Sequence, residues 1–119
     1  MAVTVTPAET LRHLAERRRQ AHQRSTERAR RLRYGLAGAA AFLRTRYGAT
    51  RVVLFGSLAT GSHSETSDVD LAVEGLPGTE YFPALADLMA HFGAPVDLVR
   101  LEEAPNSLRE RIAAEGEPL

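Results

Sequence analysis

Cysteine is absent from this 119-residue chain. That absence excludes disulfides, thiolate zinc sites and a cysteine nucleophile together, so any metal must sit on oxygen or imidazole ligands. Lysine is absent too, and all fifteen basic residues are Arg. Genomic base composition accounts for that as easily as phosphate recognition does, so it carries no functional weight. No apolar run approaches the roughly 20 residues a membrane span needs, and the first residues lack the apolar core of a secretory signal. The expectation is a cytoplasmic chain with no membrane partner. There is no internal repeat and no low-complexity segment. A chain of this length has room for one domain with a modest core, too small to hold catalytic and substrate-recognition modules together.

The formal net charge of zero conceals a division along the chain. Residues 1–51 hold twelve Arg against Glu9, Glu16 and Glu27, a balance of +9, and residues 52–119 hold three Arg against twelve acids, a balance of −9. A basic arm attached to an acidic body is available to an anionic partner. Nucleic acid is one such partner. The Arg-dense part of the arm lacks interleaved aromatics, with Tyr34 at its end the only candidate, so it has no stacking surface for reading bases.

Thr6-Pro7-Ala8-Glu9 has the form of a capping box and predicts a helix start. From Leu11, the positions Leu11, Ala15, Arg18, His22, Ser25, Ala29, Leu32 and Leu36 recur at steps of four and three, a heptad seam with polar residues in its middle. Two readings stay open: a solvated helix supported by pairs such as Glu27 with Arg31, or a helix that docks on a partner or forms a homo-oligomer. Gly35 and Gly38 loosen the pattern, which resumes with Leu36, Ala40, Leu43 and Tyr47 and stops at Gly48. Arg51 to Phe55 reads as a buried strand. Residues 56–67 read as a loop with at most one helical turn after Ser57. Asp68 to Val73 alternates as a strand with one buried face. Phe82 to Phe92 reads as a helix with Leu85, Leu88, Met89 and Phe92 inward, Val96 to Val99 as a third strand, and a last helix capped by Asn106 or Ser107 ends near Gly116. The expected class is a small α/β (α+β) domain, a short mixed sheet flanked by helices over residues 34–119, with an Arg-rich helical extension over residues 1–33.

Asp68 and Asp70 stand two apart on an expected strand, so their carboxylates leave one face about 7 Å apart along the chain. Carboxylates so placed repel unless a cation lies between them, and hard oxygen ligands on a rigid strand suit Mg²⁺. Asp97 interrupts an otherwise apolar strand, where a lone charge needs a partner. If the two strands are neighbours, three carboxylates converge, enough to hold two metals about 4 Å apart for in-line displacement at phosphorus. Gly56-Ser57 leaves a buried strand and opens a turn, presenting N–H groups and a hydroxyl to a phosphate. Each element alone is common: Asp-x-Asp pairs occur as solvated residues at strand edges, and any strand can end in Gly-Ser.

Taken together they are specific. Gly56-Ser57, ten residues, Asp68-Val69-Asp70 and a strand-borne Asp97 resemble the signature of the DNA-polymerase-β-like nucleotidyltransferase superfamily. The stretch from Leu54 to Val73, with Gly61 and with Ser67 before the first acid, resembles the minimal nucleotidyltransferase (MNT) family, and the likeness runs from about Leu36 to the C-terminus. The resemblance implies that Asp68, Asp70 and Asp97 ligate two Mg²⁺ ions and that Asp97 also helps to deprotonate the acceptor hydroxyl. It implies that Gly56 and Ser57 hold the β- and γ-phosphates of ATP or another nucleoside triphosphate.

Members of this family are commonly the antitoxin of a toxin–antitoxin pair whose toxin is a HEPN ribonuclease, and they transfer AMP to a tyrosine of that toxin. The resemblance therefore implies a HEPN-type toxin partner that supplies the acceptor. Arg17 and His22 match the spacing of the HEPN catalytic Arg-x4-His, but about 45 residues cannot build that toxin's helical bundle. Minimal members usually begin near the helix before the first strand, so the Arg-rich arm is a departure. His63, in the phosphate-side loop, has two readings: a ligand contact or, as expected here, a solvent-exposed loop residue. Two alternatives remain: a silent binding module that neutralises a partner stoichiometrically, and transfer to a small molecule, for which the chain lacks the usual helical domain that grips the acceptor.

Overall fold

The computed structural model describes residues 6–119. Helix α1 spans Pro7–Tyr34 and begins with the expected capping box: Thr6 Oγ1 accepts from the Glu9 N–H and Glu9 Oε2 accepts from the Thr6 N–H, both at 3.2 Å. Gly35 separates it from α2 (Leu36–Tyr47). Added bulk at Gly35 would press on the Phe92 ring at 3.1 Å, and at Gly38 on the His91 ring at 3.1 Å. These glycines thus admit the end of a later helix. The ion pair expected between Glu27 and Arg31 is not formed among the described residues; Glu16 pairs with Arg19 instead. Exposed pairs of either spacing contribute only tenths of a kcal/mol, about 0.3–0.5, so neither decides the helix.

Strand β1 (Arg51–Phe55) leads into the short helix α3 (Gly56–Thr60), then β2 (Val69–Glu74), α4 (Tyr81–Phe92), β3 (Val96–Arg100), α5 (Asn106–Glu115) and β4 (Glu117–Pro118). The mixed sheet has the order β3-β2-β1-β4, with β1 antiparallel to both β2 and β4 and β2 parallel to β3. Two-residue β4 carries no periodic signal and has no counterpart in the sequence reading. Asn106 is the first residue of α5, with no side-chain cap, because Pro105 already holds the extended conformation that precedes it.

Alternation along β1 divides the interior. Val52 and Leu54 face a larger core under α1, α2 and α4, which includes Leu32, Leu36, Leu43, Leu71 and Leu88. Val53 and Phe55 face a smaller cluster with Ala72, Leu101 and Ile112. In α4 the buried residues are Ala84, Leu88 and Phe92. Met89, expected inward, is 43% exposed, because the helix turns its Ala84–Leu88 face to the sheet. α1 runs unbroken past residue 33, and its Leu32 is fully buried in the larger core. No helix among the described residues is long and apolar enough to cross a membrane.

Candidate active site

The parallel pairing of β2 with β3 sets Asp70 directly opposite Asp97. Register partners share a face, so both carboxylates leave the sheet on the side of the smaller cluster. Asp68 immediately precedes β2 and lies two residues from Asp70. Asp70 thus lies near enough to Asp97 and Asp68 to feel the charge of both. Asp68 and Asp97 are exposed and Asp70 is half-buried. Since β3 is an edge strand, Asp97 reaches water and bears no burial penalty, unlike the lone buried charge that its apolar neighbours suggested.

Burial, and then the charges of Asp97 and Asp68, push the Asp70 carboxyl up to about 6, and only Arg111 on α5 opposes them. Like charges gathered on one partly desolvated face favour proton uptake, and a bound cation relieves the same repulsion. No group of three or more acids or imidazoles among the described residues is drawn together closely enough to hold an ion by itself. That does not count against Mg²⁺, which commonly takes one or two carboxylates and completes its shell with water and phosphate oxygens. The donor set fits such an ion.

Gly56 lies across from these acids because Phe55 pairs with Asp70. Its φ of +72° is a conformation that side chains disfavour, and a Cβ there would collide with the Asp70 carboxylate. Gly56 is thus required both by the turn and by the close approach of Asp70. Ser57 follows it in the first turn of α3, whose N-terminus has no side-chain cap. The N–H groups of that turn lack intrahelical acceptors.

Several neighbours escaped the sequence reading. Arg111 is one of fifteen arginines and is singled out only by the packing of α5. The Tyr81 hydroxyl donates to the Leu98 carbonyl at 2.6 Å, and burial, followed by the Asp97 charge, raises its pKa. His63 is half-buried rather than exposed, because α1 covers its loop. Its ring nitrogens have no hydrogen-bond partner among the described residues, and burial, then Arg28, lowers its pKa.

The family profile described as "Polymerase beta, Nucleotidyltransferase" matches residues 40–119. The chain belongs to that nucleotidyltransferase family. A solved structure described as a minimal nucleotidyltransferase is 35% identical to it, covering 81% of this chain and 95% of that one with a TM-score of 0.59. A toxin–antitoxin crystal structure with AMP-PNP shares the fold at 24% identity and a TM-score of 0.61, over 68% of this chain and 69% of that one. A third relative in fold is the tri-AMPylated HEPN toxin of Shewanella oneidensis in complex with its MNT antitoxin, at 22% identity, TM-score 0.59, over 73% and 70% of the two chains. No curated protein matches the sequence. The matched region of this nucleotidyltransferase begins within α2, so the whole of α1 precedes it.

Proposed function

We propose that this nucleotidyltransferase moves AMP from ATP to a hydroxyl of a partner protein, as the antitoxin of a HEPN-type toxin. The observation that carries this reading is the register of Asp70 with Asp97, which joins the Asp-x-Asp pair to a third acid beside the Gly56–Ser57 turn. The solved relatives support the finer part, since one holds AMP-PNP and another is a complex with an AMPylated HEPN toxin.

In this reading Gly56 and Ser57 hold the β- and γ-phosphates with the free N–H groups and hydroxyl of the α3 turn. Asp68, Asp70 and Asp97 hold Mg²⁺, two ions, which when bound supply charge neutralisation on the phosphate oxygens and in-line placement of nucleophile and leaving group. Asp97, exposed at the sheet edge, takes the proton of the acceptor hydroxyl. The acceptor oxygen forms a bond to the α-phosphorus as the bond from that phosphorus to the β-phosphate oxygen breaks, and pyrophosphate leaves. Arg111 partly offsets the negative charge around Asp70. The partner supplies the acceptor and its recognition, which explains how so small a domain suffices.

Incubation of the purified chain with labelled ATP, Mg²⁺ and the HEPN-type protein encoded beside it is the direct test. Label should appear on the partner with wild type and vanish with Asp68→Ala. Equal labelling by the two proteins, or none by either, would sink the enzymatic reading. One rival, a silent module that captures the partner stoichiometrically, would give a stable complex without label.

A further inference from the structure

The loop that delivers Asp68 has little to hold it. Between α3 and β2, residues 61–68 include no buried side chain, and only His63 and Ser67 are half-buried. Bonds inside the loop, from the Ser64 N–H to Ser67 Oγ and between the two hydroxyls at 2.9 Å, shape a turn without tying it to the sheet. Backbone bonds hold its two ends, from the Ser62 N–H to the Ser57 carbonyl at 3.0 Å and from the Val69 N–H to the Pro95 carbonyl at 3.1 Å, and the ties between them come from α1, which lies outside the matched family region. Arg24 Nε meets Glu65 Oε2 at 2.6 Å and Arg28 Nη2 donates to the Ser67 carbonyl at 3.3 Å, while Arg33 Nη2 donates to the Leu58 carbonyl of α3 at 3.1 Å. A cavity of about 480 Å³ lies between α1 and the loop, lined by His22, Thr26 and Arg33 from α1, Thr60 from the end of α3, and Ser62 and His63 from the loop. Directional hydrogen bonds, rather than apolar packing, therefore set the position of the loop there.

Arg28 has the most consequential of these contacts. Its Nε is shielded from solvent without a hydrogen-bond partner among the described residues, a cost that an arginine turned out to water avoids. The carbonyl it holds belongs to the peptide unit joining Ser67 to Asp68. A peptide unit is planar, so fixing that oxygen fixes the plane from which the Asp68 backbone and side chain depart. We propose that Arg28 is a positioning residue, which acts through the Ser67 carbonyl to aim the Asp68 carboxylate at the face shared by Asp70 and Asp97. This rests on the reading of Asp68 as a metal ligand.

The test is Mn²⁺ binding to the full chain, followed by electron paramagnetic resonance, together with kcat and KM for ATP in the transfer assay. Asp68→Ala first checks the underlying reading: if it binds Mn²⁺ as wild type does, the metal assignment itself falls. With that established, Arg28→Ala and Arg28→Gln should each weaken Mn²⁺ binding and lower kcat by about tenfold. KM for ATP should stay within about twofold of wild type, since the phosphate turn is untouched. Arg28→Lys should recover part of the loss, because an ammonium also donates to a carbonyl. Arg18→Ala, on the exposed half of α1, should match wild type. Wild-type Mn²⁺ affinity and kcat in Arg28→Ala and Arg28→Gln, with helical content intact, would overturn the proposal.

Discussion

Asp70 is where the backbone turn, the charge cluster and the sheet register meet, and its protonation follows from that position. Its folded-state pKa of about 6 stands above the ordinary 3.8, so the folded protein disfavours the charged form. Stability contributed by this group is therefore lowest above pH 6. It increases as pH falls through 6 and levels off below about 4, where the unfolded chain is protonated as well. Thermal melts of the metal-free protein should show a higher Tm near pH 5.5 than at pH 7.5. Asp70→Asn should raise Tm at pH 7.5 and flatten that profile. If Asp70 is a Mg²⁺ ligand as proposed, added Mg²⁺ should raise the wild-type Tm at pH 7.5, as a ligand of the folded state does, and should leave Asp70→Asn unmoved. Asp68, Asp70 and Gly56-Ser57 were legible as residues because their spacing is local, two on a strand and two on a turn. Arg111 was not, and His63 was noticed but expected exposed: each acquires its surroundings from α5 or α1, far away in the chain.

The junction of α1 with α2 is where element and domain boundaries part company. The seam of apolar residues in α1 does two different things along its length. Leu32 is 1% exposed and Leu11 is 67% exposed, although both fall on the same heptad stripe. Leu32→Ala should therefore cost about 2–5 kcal/mol, as a large-to-small change in a packed core does. Leu11→Ala should stay within about 0.5 kcal/mol, as surface changes do. Urea denaturation of the two variants checks both figures, and equal midpoints would contradict the placement of Leu32. The reading of α4 erred at Met89 for a related reason. Four apolar residues at helical spacing fix a stripe, but which edge of that stripe faces the sheet depends on where α2 and β3 lie. β4 was invisible because two residues have no period, and it is a strand only by virtue of the β1 edge beside it.

At the scale of the molecule, the division of charge seen in the sequence becomes a division of shape. The molecule measures 65 × 29 × 22 Å, and a 28-residue helix accounts for about 42 Å of length at 1.5 Å per residue. Residues 10–20 are exposed throughout, while from Ala21 onward the helix presents half-buried and buried positions to the body. A solvated segment of that length is marginal as a helix in water without a partner. Amide hydrogen exchange should be fast over residues 7–20 and slow over Val52–Leu54, whose flanking strands close both sides. Protection of residues 7–20 only when the proposed HEPN-type partner is added would identify the arm as a docking element. The arm thus divides into a free half and a half that packs on the loop before Asp68.

What the sequence determined by itself has short-ranged causes: the capping box, the strand nature of β2 and the glycine turn, whereas the single buried face expected of β2 gave way to burial on both faces, because α5 packs on the second. Tertiary structure alone decided that Asp97 stands opposite Asp70, since 27 residues of chain separate them and only the parallel register of β3 on β2 closes the distance. It also decided that the second half of α1 meets the loop that leads to Asp68. A hydrogen bond from Arg28 to Ser67 spans 39 residues, and no periodicity in a sequence specifies which distant carbonyl an arginine will meet.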